Sequence, residues 1–423
     1  MSQAPTLLRA LGTRRLAVSI FNTVVGAGIF VLPATVAGLA GSSAPLAYLA
    51  CSVAMLFVAL SFASAGSRVP AAGGAYAYVA AGLGPWAGSV TGILQWLSDT
   101  LASASVAAAL AAAVGLYVPG ADSGAGRVAL LSAVLGALCA VNIRGIRHSA
   151  TVLDAITVVK VAPLLLFVAV GLGAAVTHAA PPAIPTADVL GRTTLVLLFA
   201  FAGVESALAL SGEVRDPARS IPRAVLAALG GISVLYILVH AVASAALGPA
   251  LAEVSAAPLS AAGGRLGGDA LRQTMLVATT ISMFGYLSAL STATPRLLYS
   301  MGAARLLPAP LARVHQAFRT PWVAILVQAA LVIAIASTGS FAVLAPMASV
   351  AILTVYLTVC AAVIPLQRRG GHGAAAFSVP AWVPVAGMAV IVWMLANATW
   401  RELAIEGGVI LGASLLYVVR RRD

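Results

Sequence analysis

The sequence predicts an all-α polytopic membrane protein with twelve transmembrane helices. Three observations predict it. The chain is 61% hydrophobic and 9% charged, with a mean hydropathy of +1.03, whereas a soluble domain carries about 25% charged residues. Apolar stretches of about 20 residues, enough for a helix to cross a bilayer's hydrocarbon core, recur along the whole chain. The arginines fall in the short gaps between these stretches, and mostly in alternate gaps. Lipid offers no partner to an unpaired backbone group, so every span is expected to be helical.

In chain order the spans read 16–40, 44–66, 86–115, 127–143, 152–175, 190–212, 222–247, 271–300, 322–338, 341–366, 380–399 and 402–420. The gaps leave no room for a soluble domain, so residues 1–423 form a single transmembrane domain. No small-residue cleavage site follows the first apolar run, which therefore reads as a retained span and not a signal peptide. An even number of spans places both termini on one side. Eighteen arginines lie on that side, and five (Arg127, Arg192, Arg265, Arg272 and Arg401) lie on the other. This bias puts both termini in the cytoplasm and the chain in a cytoplasmic (inner) membrane. The net charge of +12 is then a topology signal. A nucleic-acid partner would need a basic patch on one surface, and none is expected. Cys51, Cys139 and Cys360 read as buried hydrophobes. The histidines His148, His178, His240, His315 and His372 show no metal spacing. No metal and no cofactor is expected.

The first span contains FNTVVGAGIFVLP at 21–33. Glycine costs about 1 kcal/mol against alanine inside a helix, so Gly26 and Gly28 at mid-span invite a break. A break would present the N–H groups of Ala27, Gly28 and Ile29 to a carboxylate. It would also present the carbonyls of Val24 and Val25 to an ammonium group. Close helix packing through small residues fits the same glycines. The sixth span has Gly203 at its middle and Glu205 two residues later. Interruptions at spans one and six are what an inverted repeat of five spans produces, with a substrate site at the midplane between the interrupted helices.

Three ionisable groups lie deep in apolar segments, where charge is costly and usually functional. Lys160, in ITVVKVAPLLLF, is the only lysine among 24 basic residues. Arginine keeps its proton at any accessible pH, whereas a desolvated lysine can release it. Lys160 is therefore read as a proton-switching group, with a fixed helix tether as the rival reading. Glu205 either bonds freed backbone N–H groups, the reading preferred here, or carries a proton. Asp99, in QWLSDTLASASVAA, either faces a substrate, pairs with a helix-end dipole, or points into a watery vestibule.

Several motifs together resemble the amino acid–polyamine–organocation superfamily of transporters. GAGIF at 26–30 is similar to that family's break in helix 1, and PAAGGAYAY at 70–78 to the element after helix 2. FAFAGVES at 199–206 with EVRDPARSIPRA at 213–224 resembles helix 6 and its loop. ATPRLLYSMGAARLLP at 293–308 and AILTVYLTVCAAVIPLQRR at 351–369 resemble helices 8 and 10. The resemblance implies a five-plus-five inverted repeat with broken helices 1 and 6 (repeat one about 16–175, repeat two about 190–366), with helices 11 and 12 (about 380–420) appended. It implies that the substrate carboxylate meets the backbone at Ala27, Gly28 and Ile29, with Gly26 beside them in the substrate site. It places the amino group at the carbonyls of Val24, Phe199 and Ala202, with Phe199 as an aromatic gate. It places the Lys160 ammonium near helices 1 and 8.

The expected function is secondary active transport of amino acids, proton-coupled or exchanging. The expected partners are a small amino acid or amine, protons and the lipid bilayer. A basic amino acid or polyamine antiporter, with Asp99 facing the cation, is the nearest alternative. An enzyme is not expected: no HExxH, no GxSxG and no paired aspartates occur. A channel would need a repeated pore-lining motif or a charged ring.

Overall fold

The computed structural model describes residues 12–69, 74–145, 150–177, 183–208, 214, 216–254, 256–369 and 377–420, with backbone alone at 150–159 and 217. Residues 70–73 of PAAGGAYAY, residues 213 and 215 of the loop after span six, and His148, His178 and His372 lie outside them.

Fifteen α-helices occur among the described residues. They are α1 Thr13–Val24, α2 Gly28–Ala40, α3 Ala44–Arg68, α4 Ala75–Leu83, α5 Pro85–Gly115, α6 Gly124–Ile143, α7 Ala150–Thr177, α8 Ala187–Phe201, α9 Val204–Leu208, α10 Pro217–Leu247, α11 Pro258–Ala303, α12 Trp322–Thr338, α13 Phe341–Arg368, α14 Trp382–Ala396 and α15 Trp400–Arg420. Eight helical stretches are long and apolar enough to cross a membrane, and α12 and α14 are shorter apolar helices. The chain is an all-helical, multi-pass membrane protein.

Glycines explain where the helices depart from the expected spans. A separate helix, α4, precedes the third span and ends at Gly84, whose φ of +101° sets a turn a side chain would resist. The eighth span is preceded by a helical segment from Pro258, and the two meet at Gly267–Gly268, where the backbone leaves helical geometry.

The core is built on α5 and α13, which share the most extensive interface in the molecule. From Leu101 to Gly115, α5 is almost entirely alanine, serine and valine, and small side chains let helix backbones approach closely. Polar side chains add specific ties across this interior. Trp96 on α5 donates to Gln328 Oε1 on α12 (2.9 Å), and Ser98 Oγ donates to the Ala348 carbonyl of α13 (2.9 Å). Asn142 on α6 bonds Ser291 and Thr292 on α11 (2.9 and 2.8 Å). Such interhelical bonds are worth about 0.6 kcal/mol each in lipid, so they select register more than they supply stability. Outward faces remain apolar, as at Leu411 and Leu415 of α15, which suits contact with acyl chains.

Candidate functional site

Two helices are interrupted in the interior, and their open ends meet. The first span stops at Val24 and restarts at Gly28. The last bond of α1 runs from Val25 N–H to the Phe21 carbonyl (2.9 Å), and the first bond of the next turn runs from Phe30 N–H to the Ala27 carbonyl (3.2 Å). The first N–H groups of a helix have no acceptor within it. The start of α2, at Ala27, Gly28 and Ile29, is therefore a cluster of donors at a positive helix end.

The sixth span stops at Phe201 and restarts at Val204. Ala202 is extended, and Gly203 has φ of +111°. A Cβ on Gly203 would also lie 3.0 Å from the Thr23 carbonyl. Glycine is thus needed twice here, for the turn and for the approach of α1. Glu205 answers the loose donor that the break creates. Both its oxygens accept from the Gly203 N–H (3.1 and 3.0 Å), and Tyr356 of α13 donates its hydroxyl to Oε2 (2.8 Å).

The two breaks are stitched by one hydroxyl. Tyr236 of α10, fully buried, points its hydroxyl at the Val24 carbonyl (3.2 Å) and the Ala200 carbonyl (3.1 Å). Val24 was expected to receive an ammonium group. A carbonyl has two lone pairs, so this contact leaves one available. Among the described residues no donor reaches the carbonyls of Phe199 or Ala202.

Aromatic groups lie around the breaks. Phe199 packs on Tyr286 of α11 (centroids 6.3 Å apart) and edge-on against Phe341 of α13 (5.3 Å). A Cβ built on Gly26 would sit 3.5 Å from the Tyr286 ring, so Tyr286 lies over the first break. Asp99 of α5 accepts from Gln95 Nε2 (2.9 Å) and lies within electrostatic reach of Glu205, Tyr286 and Tyr356.

Gly28 also fits the close-packing reading of the sequence. A Cβ there would lie 2.9 Å from Ala200 Cα, so Gly28 also serves the packing of α2 on α8. Lys160 is half-buried on α7, which packs mainly on α10 and α11, and it has no hydrogen bond or ion pair among the described residues. Tyr236, Tyr286, Phe341 and Tyr356 were not singled out from the sequence. Each is one aromatic residue in an apolar run, and no local pattern marks it.

A family model described as amino acid permease matches residues 11–409. Similar proteins include an uncharacterized transporter of Mycobacterium tuberculosis, 34% identical over 98% of this chain and 92% of its own length. The methylthioribose transporter of Bacillus subtilis is 28% identical over 96% of this chain and 92% of its own length. The serine/threonine exchanger SteT of the same species is 28% identical over 85% and 84%, respectively. These relatives are transporters and not enzymes.

Proposed function

The chain belongs to the amino acid permease family, and on that premise we propose that it carries amino acids across the cytoplasmic membrane by secondary active transport, proton-coupled or by exchange. The observation that carries this reading is the convergence of the two broken helices. Their free N–H groups and carbonyls are the two kinds of partner that an α-carboxylate and an α-ammonium need. In this reading the carboxylate sits on the backbone of Ala27, Gly28 and Ile29, beside Gly26, and the amino group on the carbonyls of Val24, Phe199 and Ala202. Phe199 covers the substrate, and Glu205 is a structural cap. The helices make twelve spans when α1 with α2, and α8 with α9, are each counted as one and the short α4 before the third span is left out. Spans one to five and six to ten form the inverted repeats, α14 and α15 are the additions, and both termini are cytoplasmic. Alternating access then moves the broken helices around a fixed midplane site. Uptake and exchange of labelled amino acids in proteoliposomes, with twenty unlabelled competitors, tests the reading. Folded protein that neither takes up nor exchanges any of them would overturn it.

Asp99 favours a second reading, a basic amino acid or polyamine antiporter. Its carboxyl lies within electrostatic reach of Glu205, Tyr286 and Tyr356 and is bonded by a neutral amide only. Asp99→Asn keeps the size and removes the charge. It is expected to weaken competition by basic amino acids and diamines by about tenfold or more, the scale of one lost charge-assisted bond, and to leave neutral amino acids nearly unchanged. Equal weakening of both classes would assign Asp99 to structure.

Lys160 is proposed to couple transport to the proton gradient. Arginine serves at the other 23 basic positions, and arginine cannot release a proton in a working cycle. Lys160→Ala is expected to retain exchange while uptake loses its response to an imposed pH gradient. Lys160→Arg is expected to stall net uptake. If Lys160→Ala still concentrates substrate under a proton gradient, the coupling group lies elsewhere.

A further inference from the structure

Among the described residues, three ion pairs occur, and two are local contacts between residues three apart, Arg219 with Asp216 and Arg272 with Asp269. The third joins separate helices. Arg192, in the second turn of α8, meets Glu402, in the first turn of α15, through two parallel bonds: Nη1 to Oε2 at 2.7 Å and Nη2 to Oε1 at 2.8 Å. This fork geometry is the strongest arrangement open to the two groups. The pair is also shielded, with side-chain exposures of 26% for Arg192 and 8% for Glu402.

Glu402 is held in place by its own helix. Thr399 N–H donates to Glu402 Oε2 (2.7 Å), and Glu402 N–H donates to Thr399 Oγ1 (3.3 Å). The stretch TWRE at 399–402 is thus a capping box for α15, and one carboxylate both caps the helix and receives the arginine. The neighbouring surfaces fit as tightly. A Cβ on Gly191 would fall 2.2 Å from Asn397 Nδ2, and that amide is fixed by donating to the Trp393 carbonyl (2.8 Å). The turn between α14 and α15 therefore sits directly on the start of α8.

α15 packs on α5 and α13, the central pair, while α8 packs on α2, α3, α13 and α14 and ends at the break at Ala202–Gly203. We propose that Arg192 and Glu402 form a latch that clips α8 to the α14–α15 hairpin and holds that half-helix against it. The inference rests on the transport reading in one respect, that α8 moves during the cycle. Opening at this end requires the bidentate pair to part, and a separated pair leaves a poorly hydrated charge on each side. The latch therefore sets the population of the open state and not the affinity of the site.

Spin labels at Thr186→Cys, just before α8, and Tyr117→Cys, just after α5, report the separation of the two elements in proteoliposomes without any substrate. Both positions are exposed, whereas native Cys51, Cys139 and Cys360 are buried. Arg192→Gln and Glu402→Gln are each expected to raise the ratio of long to short separations by about tenfold, within the usual range of coupling between elements. The double variant is expected to match the single ones, because either change opens the same latch. Arg192→Lys, which keeps the charge but loses the fork, should fall between wild type and Arg192→Gln. Unchanged separations in both single variants, with only a lower melting temperature, would overturn the latch and leave a simple staple. Additive effects in the double variant would overturn it too. Because the distances need no substrate, they stand whether or not uptake of an amino acid is found.

Discussion

Replacing Tyr236 with phenylalanine is expected to leave a folded protein that scarcely transports. The ring is held by packing that phenylalanine keeps, edge-on against Phe201 (5.3 Å) and Tyr48 (6.4 Å). What is lost is the hydroxyl, which reaches the carbonyls of Val24 and Ala200. These belong to the two helices whose breaks define the candidate site, and among the described residues no other side-chain hydrogen-bonding atom joins both. Each carbonyl left unpaired in a buried setting costs about 1–3 kcal/mol. That cost is released most easily by letting the breaks drift apart, so it falls on the geometry of the site. A loss of about 1.4 kcal/mol in substrate binding is already tenfold, and uptake is expected to fall by about that factor or more. Uptake by the variant in proteoliposomes, beside its melting temperature, checks this. Wild-type uptake would show that the breaks hold their positions without the hydroxyl.

The features legible in the sequence were those with a local physical signature. A glycine at mid-span is costly unless used, and Gly26, Gly28 and Gly203 mark where the helices stop. Glu205 was legible as a cap because an acidic residue two positions beyond a break has one obvious donor within reach, and its oxygens do take the Gly203 N–H. Asp99 was legible as a charge in an apolar run, though its amide partner Gln95 was not anticipated. Other features depend on residues far apart in the chain. Tyr236 contacts positions 212 and 36 residues away, and Arg192 meets Glu402 across 210 residues. No periodicity announces such pairs. The capping box at Thr399–Glu402 was readable in principle, since threonine followed three residues later by glutamate is a known helix start. Its second use, by Arg192, was not.

The same distinction separates two glycines that look alike in the sequence. Gly28→Ala is expected to damage the fold, whereas Gly26→Ala is expected to damage the site. At Gly28 an added methyl would meet the Ala200 backbone at 2.9 Å, a distance that requires α2 and α8 to move apart. Overpacking of this kind costs about 1–3 kcal/mol, and backbone cannot turn aside as the end of a flexible side chain can. A lower melting temperature together with lost uptake is the expected result. At Gly26 the methyl would meet the Tyr286 ring at 3.5 Å and the Val24 carbonyl oxygen at 3.7 Å, both ordinary contacts. Nothing in the fold has to shift, but the space between the first break and the ring that covers it becomes smaller by one methyl group. One methyl in a close-fitting pocket changes discrimination by about 10–200-fold. Gly26→Ala should therefore keep its melting temperature and lose affinity, most of all for substrates with large side chains. Equal affinity for small and large amino acids in Gly26→Ala would place the substrate away from the ring. A normal melting temperature in Gly28→Ala would mean that the two half-helices separate more easily than their contact implies.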